Sequence, residues 1–182
     1  NSDLHSASSN YGKDEIKIGI LLGLSGSSFE SGITQKAVLQ NAVHDINENF
    51  SKANIQKKVV LLIEDTEIKP EVAVDKVRKL VDEGVRIIIG PQTSSELKKV
   101  KEYVDEHDVL LVSQSSTAPS LSIKDNIFRL LQSDTNQGKL IAEKMWNDGI
   151  GVVVPIWRDD DYGNELYNIT KQSFENLGGK FS

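Results

Sequence analysis

The chain has 182 residues, 38% of them hydrophobic and 26% charged, enough for one well-cored domain and part of another. A formal net charge of −6 and a pI near 5.1 argue against nucleic acid and anionic membrane as partners. Cysteine is absent, which removes disulfides, thiolate metal sites and cysteine nucleophiles together, and no apolar run approaches the ~20 residues of a membrane helix.

Residues 1–14 are rich in Ser, Asn and charge, lack apolar periodicity, and read as a flexible leader without the apolar core of a signal peptide. From Ile16 to Leu24 the chain is apolar almost throughout, as expected for a strand covered on both faces. Leu39, Ala42, Val43, Ile46 and Phe50 then recur at helical spacing and predict one buried stripe. Val59 to Ile63 reads as a second strand. Pro70 suits a first helical turn, and Ala73, Val77, Leu80 and Val81 continue that helix's apolar face.

Val85 to Ile89 is a third predicted strand, followed by Ser94 and Ser95 before a helix lined by Leu97, Val100 and Val104. Val109 to Val112 and Ile127 to Leu131 read as strands four and five. Asp134 is expected to cap a helix running to about Asn147, Gly151 to Ile156 forms another strand, and Leu166, Ile169 and Leu177 mark a last helix. The Gly178-Gly179 pair reads as a helix stop leading into a further strand, so the pattern resembles a truncated unit. Alternating strands and helices imply βαβ units and a parallel, doubly wound α/β sheet, with ligands beyond the carboxyl ends of its strands.

Catalytic signals are weak. His5, His44 and His107 lie in the leader, in a helix and near a helix end, without HxH or HExxH partners. The serines lack a GxSxG elbow, and Gly23 to Gly26 lacks both the GxGxxG spacing and a Walker lysine. Asp159, Asp160 and Asp161 invite calcium. Gly163 comes one place too early for an EF-hand loop, however, and Thr170 stands where the bidentate Glu belongs, so a solvated loop is the better reading and no metal is expected. Ser94 and Ser95 stand at a helix start, where backbone N–H groups and the positive dipole end can hold a carboxylate, although plain N-capping is the better reading of that segment alone. Ser113 to Pro119 is a hydroxyl-rich strand end, also readable as a Ser/Thr turn stopped by proline.

Order and spacing carry more. Ile16 to Gly26 is similar to the opening strand and Leu-Ser-Gly turn of type I periplasmic solute-binding proteins, the branched-chain amino-acid class. Glu64 to Thr66 with Pro70 to Val74, Ile87 to Ser95, and Leu111 to Pro119 resemble that family's next three signatures. Phe128-Arg129, Asp134, Gln137-Gly138 and Asp160 to Gly163 follow in register. The resemblance spans about residues 15–182.

The resemblance implies a two-lobed binder with lobe one over 15–131 and the start of an incomplete lobe two over 132–182. It implies no enzyme activity and no cofactor. Ser94 takes the place of the hydroxyl that contacts a ligand carboxylate. Ser115 and Thr117 take the places that hold α-amino and carboxylate groups, and Tyr162 that of the tyrosine packing on the ligand from the second lobe. The family's first-loop aromatic is replaced by Ser31, with Phe29 close enough to substitute, which leaves the ligand's side-chain class open. The implied role is capture of an amino-acid-like solute outside the cytoplasm for the membrane permease of an ABC importer; the alternative is the sensing ectodomain of a receptor or chemoreceptor. Unpaired strand edges also predict that this 182-residue chain can dimerise through Gly151 to Ile156.

Overall fold

A computed structural model describes residues 14–26 and 29–182; the rest of the leader lies outside the described residues. Strand β1 (Glu15–Leu22) leads into helix α1 (Phe29–Lys52), β2 (Lys58–Asp65), α2 (Pro70–Asp82), β3 (Ile87–Ile89), α3 (Ser94–Glu106), β4 (Leu110–Ser113), a 3-10 turn (Pro119–Leu121) and β5 (Ile127–Arg129). All five strands pair in parallel, in the order β2-β1-β3-β4-β5. The chain continues through α4 (Asp134–Asn147), β6 (Val152–Val153), α5 (Asp161–Asn176) and β7 (Lys180–Phe181), where β6 and β7 form a separate two-stranded parallel sheet.

The core lies between the first sheet and α2 with α3. Leu21, Ile88 and Leu111 from the strands meet Ala73, Val77 and Leu80 of α2 and Leu97, Val100 and Val104 of α3, all fully buried. Burying these side chains is worth roughly 1.5–3 kcal/mol each, so this layer fixes the sheet. Strand side chains alternate faces, which turns Ile87 and Leu110 to the opposite side, where α1 lies against β1 and β2. There Ile20 and Leu22 are fully buried, whereas Ile87, Leu110 and Phe128 remain partly exposed. The expected buried stripe of α1 does not form: of Leu39, Ala42, Val43, Ile46 and Phe50 none is buried, because α1 lies mainly against β2 and β1, and among the described residues no other element packs closely on it.

Local signals fell one residue from where composition pointed. Thr93, not Ser94 or Ser95, caps α3: its hydroxyl accepts from Glu96 N–H at 3.2 Å while Glu96 accepts from Thr93 N–H at 3.0 Å. This reciprocal capping box satisfies two otherwise orphan donors. Ser133, not Asp134, caps α4, which frees the Asp134 carboxylate for a tertiary contact. The strand expected from Gly151 to Ile156 is two residues long, since only β7 pairs with it and Pro155 cannot donate to a ladder.

Sheet order reverses between β1 and β3. From β1 the chain passes by α1 to β2 on one side, then returns by α2 to β3 on the other. The carboxyl ends of β1 and β3 therefore leave a crevice between diverging loops, the place where such sheets bind ligands.

Candidate functional site

A cavity of about 290 Å³ opens at that crevice, near the lower end of the roughly 300–1,000 Å³ typical of ligand sites. Loops after β3 and β4 form its floor: Gln92, Thr93 and Ser94 come from the first, Ser115 and Thr117 from the second. Ser31 and Gln35, one turn apart on α1, make one wall with Ile68, and Arg158 and Tyr162 reach in from the start of α5.

Backbone packing sets these positions. Gly32 is buried, and a Cβ there would overlap the carbonyl of Gly23, so α1 can approach the loop after β1 only with glycine at this point. That approach carries Ser31 to the cavity. Gly90 has φ +113° and lies against the Leu21 carbonyl, which again excludes a side chain. Asp65 holds the same loop by accepting from Leu24 N–H at 2.8 Å, Ser25 Oγ at 2.6 Å and Glu67 N–H at 2.9 Å. Partial burial works to raise its pKa, but these hydrogen bonds prevail and hold the carboxyl below its usual range.

The direction of each hydrogen bond decides what the hydroxyls offer. Thr117 Oγ1 donates to Asp134 Oδ2 at 2.7 Å, and Asp134 N–H donates back to the Thr117 carbonyl at 3.0 Å. Ser115 Oγ donates to the Gln92 carbonyl at 2.6 Å. Both protons are thus committed away from the cavity, leaving lone pairs that can accept from an ammonium. Ser94 behaves oppositely: its Oγ accepts from Ala118 N–H at 3.3 Å, so its proton remains to be donated. As the first residue of α3 it also places its own N–H, with that of Ser95, at the positive end of the helix. One side of the floor donates toward an anion and the other accepts from a cation, and the Ala118 N–H to Ser94 Oγ bond ties the two loops together.

Arg158 sits with its guanidinium carbon 5.4 Å from the Tyr162 ring centroid and its Nε paired with Asp160. Asp160 caps α5 through Gly163 N–H at 2.8 Å, and Asp161 meets Lys98 of α3 at 2.5 Å. Asp159 accepts from Asn164 at 3.0 Å, so the three acidic side chains engage separate partners. His44 pairs with Glu48, and His107 stacks on Tyr103, both remote from the cavity.

A family model described as periplasmic binding protein matches residues 15–182. The chain belongs to the periplasmic binding protein family. It is 31% identical over 170 residues to an uncharacterized protein of Methanocaldococcus jannaschii, covering 90% of this chain and 41% of that one. It is 30% identical over 168 residues to a Leu/Ile/Val-binding protein of Rhizobium johnstonii, covering 91% and 45%. The crystal structure of a leucine-binding protein from Thermotoga maritima superposes with a TM-score of 0.81 at 25% identity, over 92% of this chain and 47% of that one. The chain thus spans less than half the length of these relatives, and the parallel α/β fold is that of type I members. These comparisons group this periplasmic binding protein with binders rather than enzymes.

Of the residues singled out in the sequence, Ser31, Ser94, Ser115, Thr117 and Tyr162 line one cavity. Phe29 does not; it opens α1 and is 45% exposed. Gln35, Ile68, Gln92, Thr93 and Arg158 line the cavity without having been singled out. Gln35 was findable as the i+4 neighbour of Ser31. Ile68, Gln92 and Arg158 lie within the strand-end loops Asp65 to Lys69, Gly90 to Ser95 and Arg158 to Gly163, where the strand-end rule looks for ligand contacts, and tertiary packing brings the three to one cavity.

Proposed function

We propose that this protein captures a small amino-acid-like solute in the crevice between a first lobe, 15–131, and a second lobe beginning at 132, outside the cytoplasm, for the permease of an ABC importer. The observation that carries the reading is the donor–acceptor split of the cavity floor. Ser94 and the α3 N-terminus present donors to a carboxylate, while Ser115 and Thr117 present lone pairs to an ammonium. An α-amino acid carries these two groups on one carbon. Names of relatives support the reading as well, since the Rhizobium johnstonii protein is a Leu/Ile/Val-binding protein.

Capture needs no covalent step. Tyr162 approaches from the first turn of α5 and Arg158 from the loop before it, and the start of α5 is tied to the first lobe by Lys98 with Asp161 and by Ser120, whose N–H and Oγ donate to Glu165 at 2.9 and 2.5 Å. Closing these contacts over a solute excludes water and strengthens the polar bonds beneath. No described helix is long and apolar enough to cross a membrane. Isothermal titration of the full-length protein with the twenty amino acids and their decarboxylated amines tests the reading. Binding of at least one amino acid, lost in its amine, is expected; amines binding equally well would remove the carboxylate site.

A further inference from the structure

The wall of the cavity that α1 forms is built for a polar group. Gln92 Oε1 accepts from Gly23 N–H at 2.5 Å, and since a backbone N–H can only donate, the Gln92 amide nitrogen is turned to Ser31, 3.4 Å from its Oγ. Gln35 Nε2 donates to the same oxygen at 3.0 Å, and Gln35 is itself held by Gln114 Nε2 on its Oε1 at 2.9 Å. Two amide donors occupy both lone pairs of Ser31 Oγ. Its remaining function is its own proton, on a side chain that lines the cavity.

Among the described residues of the lining, Arg158 carries the only charged side chain. Asp160 engages its Nε, and no described acceptor meets its terminal amino groups. Among the described lining residues Ile68 is the only aliphatic one. A branched aliphatic group placed here would strip water from the Ser31 hydroxyl, two amides and a guanidinium and return no hydrogen bond to any of them.

We infer that the solute is an amino acid whose side chain ends in an acceptor oxygen, a carboxylate or carboxamide, received by Ser31 O–H and Arg158. This inference rests on the amino-acid reading above and adds the side-chain class. It departs from what the branched-chain names of relatives suggest, because it follows from Ser31, Gln35, Gln92 and Arg158 of this chain.

Isothermal titration of the full-length protein with glutamate, glutamine, leucine and glycine tests it. Glutamate or glutamine is expected to bind at least about 100-fold tighter than leucine, since a site built to hydrogen-bond a group rejects the analogue that lacks it strongly. Ser31→Ala and Arg158→Met, both checked for native circular dichroism, are expected to reduce that ratio to below about 10-fold, weakening glutamate and glutamine far more than leucine. Leucine binding as tightly as glutamate and glutamine, or a ratio untouched in both variants, overturns the side-chain inference but leaves the amino-acid reading standing. Binding of none of the four overturns the side-chain inference, whereas the amino-acid reading falls only when none of the twenty amino acids binds.

Discussion

Thr117 and Asp134 act as one unit, and the chemistry of each explains the other. Asp134 is 2% exposed, so its carboxylate depends on the Thr117 hydroxyl and neighbouring dipoles in place of water. Thr117→Val removes that donor and the lone pairs offered to a solute ammonium in one change. Stability should fall by about 1–3 kcal/mol in urea unfolding, and amino-acid affinity should weaken by roughly 1.5–3 kcal/mol in calorimetry. Thr117→Ser keeps the hydroxyl and should retain most of both. A valine variant with native stability and native affinity would show that this hydroxyl serves neither partner. Residues of this kind were half legible. Thr117 stood in a recognisable strand-end loop, but its partner 17 positions away looked like a helix cap, because Ser, Thr and Asp before a helical pattern all suit that place.

The junction of α3 and α5 shows how elements add what single residues cannot. Lys98 and Ser95 on the first turns of α3 meet Asp161 at the start of α5, with Ser95 Oγ accepting from Asp161 N–H at 3.2 Å. The Lys98 ammonium holds the Asp161 carboxyl below its usual range, against the opposing effect of partial burial, and Asp161 in turn holds the Lys98 ammonium above its own. A depressed carboxyl contributes stability above its unfolded pKa of about 3.9 and loses it as pH falls through the lower folded value. A raised ammonium contributes below about 10.4 and loses it as pH rises through the higher folded value. The tie should therefore persist between these limits and open first in acid. Lys98 is 58% exposed, which limits its worth to under about 1 kcal/mol. A carbon-13 carboxyl titration should place the Asp161 midpoint below 3.9 and move it upward in Lys98→Met; an unmoved midpoint would assign the shift elsewhere. At the other wall, Gly32→Ala should cost about 1–3 kcal/mol by forcing α1 away from Gly23 and should displace Ser31 from the cavity. Chemical denaturation measures the first effect and glutamate titration the second. A fully stable alanine variant would mean that α1 has room to move.

At the scale of the molecule, the two sheets are unequally finished. The five-stranded sheet has a buried core of its own, whereas β6 and β7 pair over two residues each and leave Val154 at 76% and Ile156 at 98% exposed. Tyr162 and Arg158 depend on that smaller layer for their footing. The 182-residue chain by itself should bind an amino acid far more weakly than the full-length protein, and its apolar strand edge should favour a concentration-dependent dimer. Paired titrations and light scattering check the two expectations; equal affinities would show that the first lobe alone forms the complete site. Periodicity along the chain determined the succession of strands and helices, the parallel sheet and the strand-end loops that line the cavity, because hydrophobic spacing answers to local geometry and sheet burial together. Only the tertiary structure decided that α1 keeps its apolar stripe half exposed, and that Gln92 and Arg158 share a cavity with Ser31. Those outcomes depend on which groups meet across 61 or more positions of sequence, as Gln92 meets Ser31, and on which faces find a covering layer. Neither is written into the spacing of a single segment.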